Sequence, residues 1–226
     1  MGRLDGLLNT SIGQKLALAA SGVALIGFLL VHLLGNLTLF QGPEVMNAYA
    51  HWMQTHPLLW AGRVGLVTLF GLHTTLAIRL ALENHRARPI RYAAGLRSQD
   101  STFLSRYIVL TGLLVLAFLV YHLLHFTVGA VQPEHARLLD EQGRHDVYGM
   151  VVRSFGEPAV AISYLVAMTI LGLHLFHGLR SLSQTFGVNH ETYVGAIRWA
   201  AGGLALAIVV GNASIPLSVW LGWISL

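Results

Sequence analysis

"FLLVHLL" (Phe28–Leu34) and "FLVYHLL" (Phe118–Leu124) are nearly the same seven residues, ninety positions apart, and each sets one histidine in the middle of an apolar run. A second echo joins "GLHTTLAIR" (Gly71–Arg79) to "GLHLFHGLR" (Gly172–Arg180), where Gly-Leu-His is followed six residues later by arginine. An ionisable ring is costly in an apolar helix, and ionisable residues at such depth mark functional sites. A chain that places four of them in two duplicated contexts has a use for them.

The surroundings of these stretches define the class. Over 226 residues the chain is 54% hydrophobic and 11% charged, with mean hydropathy +0.61, a membrane balance rather than a soluble one. Five runs reach the roughly 20 residues needed to cross a bilayer: Ile12–Phe40, Leu58–Leu82, Tyr107–Val131, Pro158–Leu182 and Val194–Trp223. The expected fold is therefore all-α, a five-transmembrane-helix bundle forming a single domain over residues 1–226. The first run is too long for a signal peptide and lacks a small-residue cleavage site, so it reads as a retained helix.

Orientation follows from the lysine and arginine count near the helix ends. One side collects Arg3, Lys15, Arg79, Arg86, Arg88, Arg91, Arg97, Arg106, Arg180 and Arg198, and the other only Arg63, Arg137, Arg144 and Arg153. The N-terminus, the 83–106 connection and the 183–193 connection are then expected in the cytoplasm, and 41–57, 132–157 and the C-terminus outside. Pro89 and Gly95 interrupt the basic 83–106 connection, whose length suits a docking surface. The 132–157 connection mixes five carboxylates with three arginines and reads as an ordered cap. Ser105 suits a cap of the third span, and Pro158 the first turn of the fourth.

With no cysteine in the chain, thiolate metal sites, iron–sulfur ligation and covalent c-type haem are excluded, so a redox centre held here must rest on histidine. Each of the four histidines falls in the second half of its span. His32 and His122 lie about seven and five residues past the middle of spans that run outward; His73 and His174 are similarly late in spans that run back. The result is one pair near each face of the membrane, with layers about 10–20 Å apart. Two imidazoles facing each other across a bundle suit both axial positions of a haem iron, which predicts two b-type haems: an outer one on His32 and His122, an inner one on His73 and His174. Gly22, Gly27, Gly35, Gly71, Gly112, Gly172 and Gly178 offer gaps for a flat macrocycle, although glycine is common in any membrane helix contact. Arg79 and Arg180 lie about 9 Å beyond the inner pair, within reach of propionates. His125 and His177 follow two of the ligands by three residues; each either bonds a propionate or quinone or packs as a satisfied histidine. His51 and His56 fall in a connection, where a solvated or interfacial role is the default.

"SIGQKLALAASG", "VHLLGNLTLFQGPEVMNAYAHWM", "SRYIVLTG", "YHLLHFTVG" and "HLFHGLRSLSQTFG", taken in order, resemble the single-chain, five-helix, dihaem cytochrome b anchor of bacterial succinate dehydrogenase and fumarate reductase, the membrane part of respiratory complex II. The similarity runs over nearly the whole chain and includes the four histidines. It implies the same ligand pairing and a multi-pass subunit of the bacterial cytoplasmic membrane with its N-terminus inside. It further implies an iron–sulfur partner, a flavoprotein partner with covalent FAD, and electron delivery to quinone, most often menaquinone. Succinate chemistry would belong to the partners, and no nucleic acid is implied. Ser11 and Lys15 resemble the hydroxyl and cation that line the quinone pocket in related anchors; an N-cap and a snorkelling lysine are the plain alternative. Arg63 stands where some relatives carry a carboxylate, which puts proton handling there in doubt and offers a partner for a distal propionate instead. Two rivals are the dihaem anchor of a hydrogenase or nitrate reductase, and a haem-free transporter with proton-conducting or metal-binding histidines.

Overall fold

The structure is a computed structural model and describes residues 10–87, 107–188 and 190–226. Ser105, Pro89, Gly95 and the arginines at 3, 88, 91, 97 and 106 lie outside the described residues. Among the described residues the regular structure is helical, apart from one antiparallel bridge between Leu139 and His145. Five segments are long and apolar enough to cross a membrane.

The first is α1 (Ser11–Asn36), whose apolar run starts behind Thr10. The Thr10 hydroxyl accepts from the Gly13 amide at 3.1 Å, so the N-cap is Thr10, and Ser11 is the first helical residue. A 3₁₀ turn over Leu37–Gln41 ends at Gly42, whose φ of +98° is open only to glycine. Pro43 then starts α2 (Pro43–Thr55). The second crossing segment is α3 (Leu59–Arg86) and the third α4 (Ile108–His122), which runs on through a π-turn at Leu123–Thr127. The apolar sequence continues to Val131, but the helical path stops earlier because Gly129 turns the chain at φ +72°. Next come α5 (Val147–Gly156), α6 (Pro158–Thr185), with its proline at the first turn, and α7 (Glu191–Trp220). The second, fourth and fifth crossing segments are therefore longer at their polar ends than hydropathy suggests, since a helix continues wherever its backbone bonds do.

One end of the bundle is capped. Here α2 and α5 pack over α6 and α7 around Met46, Tyr148, Val151, Val152, Phe155, Tyr164, Ile215 and Val219. Asn47, 1% exposed, ties the cap together: its Nδ2 donates to Asp146 at 2.9 Å, and its Oδ1 accepts from the Tyr148 amide at 2.9 Å. Asp146 also accepts from the Gly149 amide as N-cap of α5. Arg144 grips Glu44 on α2 with both terminal nitrogens and Asp140 with Nε at 2.7 Å. The Arg144 guanidinium holds the Glu44 carboxyl below its ordinary value. Burial pushes Asp140 the other way, but its bonds to Arg144 prevail and it too is lowered. The ordered cap read from residues 132–157 is thus built, with α5 inside it.

A second cluster runs along the seam of α6 and α7 through Ala167, Met168, Leu171, Leu175, Ala205 and Ile208. Small residues let these two helices approach, as lipid-facing packing requires. The other close pairs are α1 with α3 and α4 with α6. The α4 segment is the least covered: 6% of its most apolar stretch is buried, against 33% for α6. The packed core therefore lies at the cap and along the α6–α7 seam.

Candidate functional site

The histidines occupy two layers. In the layer nearer the cap, His32 on α1 and His122 at the end of α4 face each other with ring centres 5.9 Å apart and planes at 89°. Phe28 stacks on His32, and Phe118, Phe126 and Tyr164 surround His122. The phenylalanine contacts follow from helical spacing, since residues four apart share a face, whereas Tyr164 comes from α6.

The other layer lies toward the end away from the cap. His73 on α3 reaches across to α1, where its Nδ1 is 3.1 Å from the Ser21 hydroxyl. His174 on α6 reaches across to α4 in the same way, with Nδ1 3.3 Å from the Thr111 hydroxyl. Both hydroxyls already donate their proton to a carbonyl three residues back, Ser21 to Leu18 at 2.9 Å and Thr111 to Ile108 at 3.0 Å. Each can then only accept from the imidazole, which puts the ring proton on Nδ1 and leaves the Nε2 lone pair free. Glycine makes room for the rings: a Cβ on Gly22 would lie 3.4 Å from Cε1 of His73, and one on Gly112 3.2 Å from Cε1 of His174.

These contacts extend the internal echo. Ser21-Gly22 precedes His32 by the same interval as Thr111-Gly112 precedes His122, eleven residues from hydroxyl to histidine. At 1.5 Å per residue the layers are about 16 Å apart along the helices. Sequence reading singled out the glycines but not the hydroxyls; the ninety-residue offset shared by Ser21, Thr111, His32 and His122 was the signal.

His125, in the π-turn that follows His122, is separated from it by chemistry. It is 1% exposed, and both ring nitrogens are engaged, Nδ1 with Tyr164 at 3.0 Å and Nε2 with Gln132 at 2.8 Å. No lone pair is left for a metal. His177 is half-buried on α6.

Other predicted residues sit apart from the layers. Arg79 is exposed and pairs with Glu83 at 2.9 Å, while the Arg180 guanidinium lies over the Phe176 ring at 5.7 Å. Arg180 also borders a cleft of about 60 Å³ with Ser183, Gln184, Val194, Ile197 and Arg198. Ser11 and Lys15 are exposed in the first turns of α1. Between them Gln14 is 1% exposed, and its Oε1 has no partner among the described residues. Arg63 lies over Trp60 at 5.0 Å. His51 is exposed, and His56 accepts from the Leu58 amide at 3.2 Å, a turn contact. Gly27, Gly71 and Gly178 face open space, whereas Gly35 meets Tyr49 and Gly172 meets Val209.

Among the described residues no group of three or more His, Asp or Glu side chains converges. Each layer presents two histidines from different helices, His32 with His122 and His73 with His174. No known protein family, no curated protein and no solved structure matches the chain.

Proposed function

We propose that the chain is an electron-transfer cytochrome b of the membrane, with one haem between His32 and His122 and a second between His73 and His174. The observation that carries this reading is the donor set. A bare ion held by protein takes four or more donors, so a layer that offers two imidazoles suits a metal that brings its remaining donors in a macrocycle. A metal–imidazole bond of about 2 Å puts opposed ring centres about 6 Å apart, and the His32–His122 spacing is 5.9 Å. A metal-bound histidine usually donates its far ring N–H to an oxygen acceptor, and the Ser21 and Thr111 hydroxyls supply one while leaving Nε2 free.

When bound, bis-imidazole haem supplies one-electron transfer without an open position for oxygen. The chain's own part is to hold the rings. Gly22 and Gly112 let His73 and His174 lie against helix backbone, and the apolar rings of Phe28, Phe118 and Phe126 keep water from the other pair. The two layers lie one behind the other across the membrane and form a path for electrons.

Within that class, the motif order supports the membrane anchor of a succinate:quinone oxidoreductase, passing electrons from an iron–sulfur subunit to menaquinone. The partner enzyme, with its FAD, would dock on the cytoplasmic side at the end away from the cap. Ser11 and Lys15, with buried Gln14 between them, present a hydroxyl, a cation and an amide where a quinone head group would arrive. Arg79 and Arg180 stand toward the same end, for propionates.

The test is a pyridine haemochrome assay and a dithionite-reduced minus oxidised spectrum on the purified chain with whatever co-purifies. Two b haems per chain, partly reduced by succinate, are expected. Haem that succinate fails to reduce, with a hydrogenase or nitrate reductase alongside, would reassign the partner. An intact preparation without haem would overturn the reading.

A further inference from the structure

His122 differs from the other three histidines in what stands behind it. Its Nδ1 lies 3.4 Å from the Tyr164 hydroxyl, and that hydroxyl lies 3.0 Å from Nδ1 of His125. His125 Nε2 is 2.8 Å from Oε1 of Gln132, and Gln132 Nε2 is 2.8 Å from Oε1 of Glu157. Three links of this chain are buried, His125 at 1%, Tyr164 at 5% and Gln132 at 6%, while Glu157 is exposed at the start of α6.

The direction of every bond is fixed from the surface end. An ionised Glu157 only accepts, so Gln132 turns its amide nitrogen to it and its oxygen to His125. That oxygen takes the proton of His125 Nε2. Neutral His125 then has its lone pair on Nδ1 and accepts from Tyr164, whose single proton is thereby used. The Tyr164 oxygen can only accept from His122, which must carry its proton on Nδ1 and direct the Nε2 lone pair toward His32.

We propose that Tyr164, His125, Gln132 and Glu157 are positioning residues that set the tautomer and the basicity of His122, and that they carry the charge of a surface carboxylate to the haem nearer the cap. The proposal rests on the haem reading above. A histidine whose far nitrogen donates toward a carboxylate is a stronger metal donor, and stronger donation favours the ferric iron. Polarisation along a buried chain of bonds reinforces each link. Ser21 and Thr111, which end on a helix carbonyl, give the other layer no such charge.

The experiment compares Glu157→Gln, Tyr164→Phe and the exposed control Glu134→Gln in the assembled protein, by optical redox titration and by electron paramagnetic resonance of the low-spin haems. His122→Ala first identifies which signal belongs to the layer near the cap. The expected result is that Glu157→Gln and Tyr164→Phe raise the potential of that haem only, through an approximately tenfold loss of ferric preference, which is about 59 mV for one electron. Glu134→Gln leaves both haems unmoved. Unshifted potentials in fully loaded Glu157→Gln and Tyr164→Phe would overturn the relay and leave the haem reading standing. If Tyr164→Phe loses its haem, Glu157→Gln, four bonds away at the surface, decides alone. A parent protein without haem would overturn the reading and the relay together.

Discussion

The two histidine layers come from one repeated sequence pattern but are backed by different chemistry. Toward the end away from the cap, His73 and His174 rest on the hydroxyls of Ser21 and Thr111, each one bond from a helix carbonyl. Under the cap, His122 leads through three side chains to Glu157, beside the lid of α2 and α5. The difference teaches that a duplicated helix pair fixes where ligands stand, whereas the connections between helices decide how each is tuned. Gln132 and Glu157 belong to the connection before α6, and it has no counterpart among the described residues at the other end.

The sharpest break in the comparison is removal of a ligand. If the two layers hold haems as proposed, His122→Ala should cost the chain one haem and leave the other at its parent potential; His174→Ala should cost the other. Haem-to-protein ratio and the reduced-minus-oxidised spectrum check both, and a variant that retains two haems in a folded complex would count against that ligand. Next in size is the ring's seat on the helix. Gly112→Val should displace His174, because Cε1 lies 3.2 Å from where even a Cβ would stand, and occupancy of that layer should fall severalfold. Gly195→Ala, in open space at the start of α7, should leave occupancy unchanged, and equal losses in the two variants would remove the distinction.

A smaller effect sharpens the contrast in backing. Ser21→Ala and Thr111→Val remove a neutral acceptor each, and should weaken iron affinity or shift potential at the lower end of the tenfold to hundredfold range seen for outer partners of metal ligands. Only the layer away from the cap should respond in potentiometry. The smallest effect concerns the lid. Arg144→Gln should lower hydrogen-exchange protection over Val147–Gly156 while both haems keep their spectra. Glu44 and Asp140 are held below their ordinary values of 4.5 and 3.8 in the fold, so their contribution is present above those values and is lost as pH falls through the lowered ones. Exchange measured at pH 7 and again below about 4 should show the Arg144→Gln difference shrinking.

Much of this was legible beforehand, for physical reasons that differ by residue. The five crossing segments follow from composition, since backbone in lipid leaves helix as the economical choice for runs of this length. His32 and His122 declared themselves by sharing a heptapeptide, and depth arithmetic placed His73 and His174 in the other layer. Ser21 and Thr111 did not stand out, because a small hydroxyl before glycine is ordinary in a membrane helix and its partner sits on another helix. The choice of His122 over His125 rested on the echo alone; the π-turn and the bonds to Tyr164 and Gln132 are tertiary facts. The plain alternative for Ser11, an N-cap, fell one residue late, since the side chain that reaches an amide is that of Thr10.

The interval from Ser21 to His32 recurs from Thr111 to His122, and it makes α1 and α4 two rulers of equal length. The gap between the layers is therefore written in covalent backbone rather than in side-chain packing, and stretching a connection or changing bilayer thickness leaves it untouched. Inserting a single residue within either ruler would turn everything beyond it by about a quarter of a turn or more. Substitution can adjust each layer, but the distance between them is quantised by the helix itself.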